Sequence, residues 1–315
     1  EIKECDWSSD VCSSDLIKNN LNLYLLELDT IQSYKHNPTI YVELIGNALF
    51  SEFVLEYAPK PERMQHITRR IEKIPALLDQ AKAQLVDSPE VWNRVAREEN
   101  DGNVSLIDKT LRAEVPADQK AAYDAAATKA IAALKSFSDF LKNDLSKKTS
   151  DWRLGKEKYA QKFKYVIANG KTPEELLAAA EADLKSTREA MAKLAAPQTV
   201  EQALAEVAKQ HVTPDKYMDK ARETLAQATA FVKEKDLVTL PPRGNLQVIE
   251  TPEFMRGIYG VAGFNPAPPL QPELGAFYWV TPIPKDWPKE HVESDRKSTR
   301  LNSSHIPLSR MPSSA

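Results

Sequence analysis

Five times along this chain a residue able to cap a helix stands directly before a proline: Asn37-Pro38, Ser88-Pro89, Thr172-Pro173, Thr213-Pro214 and Thr251-Pro252. The capping oxygen satisfies a free amide of the first turn, and proline lacks the N–H that the first turn leaves unbonded. The pairs predict five helix starts. Thr172-Pro-Glu-Glu175 and Thr199-Val-Glu-Gln202 also have capping-box spacing, in which the third residue's side chain returns to the amide of the cap. Apolar residues then recur at helical intervals, as Leu21, Leu25, Leu28, Ile31 and as Met64, Ile67, Ile71, Ile74, Leu78. Pro75 falls inside the second run and predicts a kink, because its ring crowds the carbonyl four residues back. From Gln119 to Leu145, the residues Tyr123, Ile131, Leu134, Phe137, Leu141 and Leu145 mark one face of a long helix with an Ala-rich back. Gly102-Asn103, Leu154-Gly155 and Asn169-Gly170 read as interhelical turns. A helical domain over 17–236 follows, its bundle beginning near residue 35.

After Asp236 the pattern changes. Leu237–Leu240 and Leu246–Ile249 have strand composition around Pro241-Pro-Arg-Gly-Asn245, and Gly275–Thr281 is the strongest strand candidate. Gly257–Pro269, rich in glycine, proline and aromatics, reads as an irregular surface loop able to line a cleft. The expected class is mainly α, a multi-helix bundle with a small C-terminal β-sheet over 237–294.

The two ends have a different expected origin. Asp295–His305 back-translates into a common sequencing-adapter string, and the complementary strand of that string, read in another frame, gives Asp6–Leu16. Segments 1–16 and 295–315 are therefore expected to be adapter-derived, disordered tails. Setting them aside removes five acids and one base in front and one acid and four bases behind, leaving 37 Lys+Arg against 39 Asp+Glu. Balanced charge spread along the chain gives no basic footprint for nucleic acid and no polybasic face for anionic lipid. Both cysteines, Cys5 and Cys12, go with the front segment, so neither a disulfide framework nor a Cys-type zinc site is expected. No apolar run approaches the roughly 18 residues of a membrane span, so 17–294 reads as a soluble segment. Cytosol and periplasm suit it equally, which leaves the localisation open, with an exported or periplasmic location carried forward.

Chemistry-bearing motifs are sparse. His36, His66, His211 and His291 remain, and no two have the four-residue spacing by which a helix grips zinc. His66 and His211 could each supply one ligand, but the ordinary reading is of surface or cap-adjacent histidines. Glu98-Glu99 and Glu174-Glu175 read as solvated faces or dipole partners, since adjacent helical residues point in different directions. A phosphate-binding glycine loop, a Gly-x-Ser-x-Gly elbow and a Cys/His pair are absent from the segment. No metal or catalytic residue is assigned.

Asn37–Phe50, Arg63–Leu85, Arg153–Phe163, Thr172–Leu184 and Pro272–Pro282, taken in order and spacing, resemble the bacterial domain-of-unknown-function family numbered 885. The likeness covers nearly all of 17–294. It implies a longer parent of zincin type, a glutamate-zincin metallopeptidase that is mainly helical with a small sheet and acts on peptides. Its His-Glu-x-x-x-x-His-like signature would follow the strand, a short way after Trp287–Glu293. By that resemblance this chain is an inactive fragment lacking the metal-binding helix, with no cofactor of its own and zinc belonging to the parent. The resemblance also implies that Gly275, Ala276, Phe277 and Tyr278 bind substrate, the strand offering its backbone to an extended peptide. The plainer reading of the same strand buries Phe277 and Trp279 and turns Tyr278 outward. The alternative for the whole chain is a non-catalytic helical binding or scaffold module.

Overall fold

The structure is a computed structural model and describes residues 15–167, 170–208, 214–240, 246–256 and 259–282. The terminal segments expected to be adapter-derived lie almost wholly outside these residues, although helix α1 (residues 15–25) already includes Asp15 and Leu16. The fold is mainly α with a small sheet. After α1 come α2 (Thr39–Val54), α3 (Lys60–Ile71), α4 (Ile74–Gln84), α5 (Glu90–Ser105), α6 (Lys120–Asn143), α7 (Gly155–Ile167), α8 (Pro173–Ala195), α9 (Val200–Ala208) and α10 (Tyr217–Glu234). The strands are β1 (Leu246–Glu250), β2 (Ala262–Asn265) and β3 (Ala276–Val280).

Local signals mark several of the helix starts. The Asn37 carboxamide oxygen accepts from the Thr39 amide at 3.1 Å, and α5 begins directly after Ser88-Pro89. Thr172 and Glu175 close a full capping box, as do Thr199 and Gln202 by their two reciprocal bonds of 3.0 and 3.2 Å. Pro214 opens a 3-10 turn leading into α10, while Thr213 lies outside the described residues. The fifth pair is corrected: Thr251-Pro252 starts only the single 3-10 turn Glu253–Met255. There the chain is held back to the sheet by Thr251 N–H to Val280 O at 3.0 Å and by a hydrogen bond of 2.8 Å between the Thr251 and Thr281 hydroxyls. The kink expected at Pro75 is a complete break. α3 ends at Ile71 and α4 starts at Ile74, which places Pro75 in a first turn where its missing N–H is harmless.

The chain forms two compact units whose dividing points fall near the start of α4 and within α5 and α6. The sheet shares its unit with α2, α3 and the C-terminal half of α5. The first unit comprises residues up to Tyr41, Ala76–Arg97 and Lys135–Ala196. Its buried side chains include Leu26, Ile31, Leu78, Leu85, Phe137 and Leu141. Here α1 continues as a π-helical turn, Leu26–Ile31. The wider turn brings Leu26 and Ile31, five apart, to the buried side, whereas Leu21, Leu25 and Leu28 are exposed, which corrects the face read from a uniform helix. The turn is tied to α7 by Lys162 Nζ to Glu27 Oε1 at 2.5 Å. α8 buries no side chain along its length.

The second unit comprises Val42–Pro75, Glu98–Leu134 and the chain from Pro197 onward. Its core includes Val42, Ile45, Leu49, Met64, Ile67, Ile71, Ile107, Leu111, Tyr123 and Leu134, together with Phe254, Phe277 and Trp279. β3 lies in the centre of the sheet, parallel to β1 with Val248 opposite Tyr278, and antiparallel to β2 with Gly263 opposite Trp279. β2 falls inside the stretch expected to be an irregular loop. Leu237–Leu240, expected to be a strand, forms none.

Gly102 and Asn103 are likewise corrected. They belong to the interior of α5 rather than a turn. A side chain at Gly102 would meet the Phe254 backbone nitrogen at 2.6 Å, and Asn103 is fully buried, its amide donating to Val42 O of α2 at 2.8 Å. On α2, a side chain at Gly46 would overlap the Phe254 ring. Two glycines on two helices therefore make the seat into which Phe254 drops, and Phe50 on α2 meets both Phe254 and Trp279 edge-on at centroid distances of 6.1 and 6.3 Å.

Candidate functional site

The strand expected to meet substrate is present, and its backbone is paired within the sheet. Gly275 takes φ +88° at the entry to β3, a conformation suited to a residue without Cβ. Ala276, Phe277 and Tyr278 pair with β1 on one side, and Phe277 and Tyr278 also face β2 on the other. An extended peptide cannot add to a strand already flanked on both sides, so the edges of this sheet belong to β1 and β2. Phe277 and Trp279 are buried. Tyr278 is half-buried, and its phenol is held above the ordinary tyrosine value by desolvation.

A second constellation was not legible as a motif. Glu52 lies on the last turn of α2, Tyr57 in the loop that follows, and His66 and Arg70 one turn apart on α3. The i, i+4 spacing puts the two basic side chains on one face, toward the end of α2. The Tyr57 hydroxyl donates to Glu52 Oε2, and Arg70 donates to Glu52 Oε1. His66 Nδ1 stands 2.8 Å from the Tyr57 oxygen, with the rings stacked at 12°. Since the phenol proton goes to the carboxylate, the Tyr57 oxygen turns a lone pair toward His66 Nδ1. Desolvation, and then the Glu52 carboxylate that accepts its proton, push the Tyr57 phenol up to about 12. Arg63 closes the corner by donating to the carbonyls of Glu52, Phe53 and Ala58 at 3.1, 2.5 and 3.0 Å. A histidine anchored through one nitrogen with the other open is the arrangement of a proton acceptor or of a single metal ligand.

The third feature overturns the expectation for Glu98-Glu99 as a solvated pair. Glu98 is exposed, but Glu99 is 1% exposed and neither of its carboxyl oxygens meets a hydrogen-bond donor among the described residues. Burial first, and then the charges of Glu43 and Glu98, push its carboxyl up to about 8. Glu175 does work at a helix start, closing the Thr172 capping box.

Among the described residues no group of three or more His, Cys, Asp or Glu side chains could hold a metal ion. His36 bonds Asp87 at 2.7 Å; His211 and His291 lie outside the described residues. Among the described residues no helix is long and apolar enough to cross a membrane.

The family model described as "Bacterial protein of unknown function (DUF885)" matches residues 2–302. The chain belongs to this family. No curated protein matches it. Of solved structures, the DUF885 chain resembles one from Shewanella oneidensis described as "a putative lipoprotein of unknown function", at 23% identity and a TM-score of 0.61. The likeness covers 91% of this chain and 56% of the other, so this DUF885 chain spans little more than half the length of that relative.

Proposed function

We propose that this chain is the helical, substrate-side part of a zinc-dependent metallopeptidase acting on peptides. The carrying observation is the unequal coverage: nearly all of this chain corresponds to 56% of a longer chain of the same fold. The rest of a longer parent is where metal ligands would reside, because the described residues fit no zinc ion. Zinc would supply an activated water for attack on a carbonyl. This chain's own contribution is the sheet. An extended peptide adds at an edge, against β1 or β2, while Gly275, Ala276, Phe277 and Tyr278 support that edge from the central strand.

Recovering the contiguous coding sequence tests the reading. A His-Glu zinc helix within a few dozen residues after Glu293 is expected, and the longer chain should then cleave peptides in a zinc-dependent manner. A contiguous gene without such a helix removes the peptidase and leaves a helical binding module.

A further inference from the structure

Glu99 and Asn103 lie one turn apart on α5, so their side chains share a face. Both are buried, at 1% and 0% exposure. Among the described residues Glu99 Oε1 and Oε2 and Asn103 Oδ1 all lack a donor, while the Asn103 amide is already committed to Val42 O at 2.8 Å. Neighbouring acceptors without a donor are each expensive to bury, and an ionised carboxylate is the most expensive of them. One proton added to Glu99 removes the charge and makes its O–H a donor on the helix face that Asn103 shares. The charged groups that bear on Glu99 are Glu43 from α2 and Glu98 from α5 itself, both carboxylates, and both oppose ionisation.

We propose that Glu99 keeps its proton through neutral pH, that this proton is donated to the Asn103 side-chain oxygen, and that its loss in alkali loosens the seat of the sheet. The route to the sheet is short. Asn103 bonds α2 at Val42, its neighbour Gly102 touches the Phe254 backbone, and Gly46 of α2 underlies the Phe254 ring. A charge appearing at Glu99 drives α2 and α5 apart at the point where Phe254 is held.

The direction of the pH effect follows from the two states. The unfolded chain releases the proton near the ordinary value of 4.5 and the folded chain near about 8. Between these the folded state holds one proton more, so stability falls as pH rises, by about tenfold in the folding equilibrium constant per pH unit. Below the lower value the contribution is complete, and above the upper value it is gone.

Urea unfolding of the wild-type chain and of Glu99→Gln from pH 5 to pH 9 provides the test. The amide of Glu99→Gln supplies a permanent donor without a charge, so the wild-type-to-variant stability ratio should fall through the window and level off above pH 8. Amides of 276–280 should exchange faster at pH 9 than the pH dependence of intrinsic exchange explains, in the wild type alone. Parallel stability curves for the two proteins overturn the proposal, as a buried water donating to an ionised Glu99 would produce. Should Glu99→Gln fail to fold, infrared spectroscopy of the wild type decides. A protonated-carboxyl band at pH 7 that disappears by pH 9 supports the proposal, and its absence at pH 7 refutes it.

Discussion

A methyl group at Gly102 would press on the backbone of Phe254, which cannot swing aside as a side-chain tip can. Gly102→Ala is therefore expected to destabilise the chain by about 2 kcal/mol, in the range of overpacked cores, even though alanine favours helix more than glycine does. The urea midpoint measures it, and a midpoint that rises would show that the helix tolerates the methyl. The Gly102-Asn103 dipeptide is ambiguous for a physical reason. Gly-Asn is a turn signal only while its surroundings are unknown, and the residues that give it another purpose, Val42 and Phe254, are far away along the chain. Glu99 was obscured similarly, because a pair of glutamates looks like a wet surface until α2 covers one of them. The cluster of Glu52, Tyr57, His66 and Arg70 left one faint trace, the i, i+4 spacing of its two bases, and the loop tyrosine that links them has no pattern to betray it.

At the scale of elements, the helices announced themselves because their starts are local events. The caps at Asn37, Thr172 and Thr199 act on amides two or three residues ahead. α8 depends most on such signals, since it buries no side chain and Leu177, Leu184 and Leu194 are exposed, the last at 88%. Thr172→Ala should remove about 1 kcal/mol from the start of α8. Amide exchange over the first turns of α8 should accelerate while the midpoint of global unfolding stays nearly unchanged; equal loss in both would mean that α8 is bound into the cooperative core. Strands were less legible. β2 has four residues, one of them glycine, and exists because β3 supplies hydrogen-bond partners. Leu237–Leu240 has better strand composition than β2 and no partner strand among the described residues. Pairing outweighs propensity here. The π-helical turn escaped for a related reason, because its five-residue repeat is invisible to a search for helical period.

For the molecule as a whole, composition and periodicity sufficed for the class, mainly α with a small late sheet, and the DUF885 match is consistent with the resemblance seen in the ordered stretches. How the chain divides was not visible, because α5 and α6 each contribute to both compact units and no linker marks the change. Metal analysis after exhaustive dialysis is expected to find far less than one zinc per chain. One tightly held zinc would mean that the four histidines of 17–294 had been misjudged and that the proposed division of labour with a longer parent is wrong. The order of strands in the sheet carries a further implication. Among the described residues β1 and β2 pair only with β3, which follows both of them in the chain. A ribosome building this polypeptide thus releases the two outer members first, and their common hydrogen-bonding partner becomes available only once Ala276–Val280 has cleared the exit tunnel.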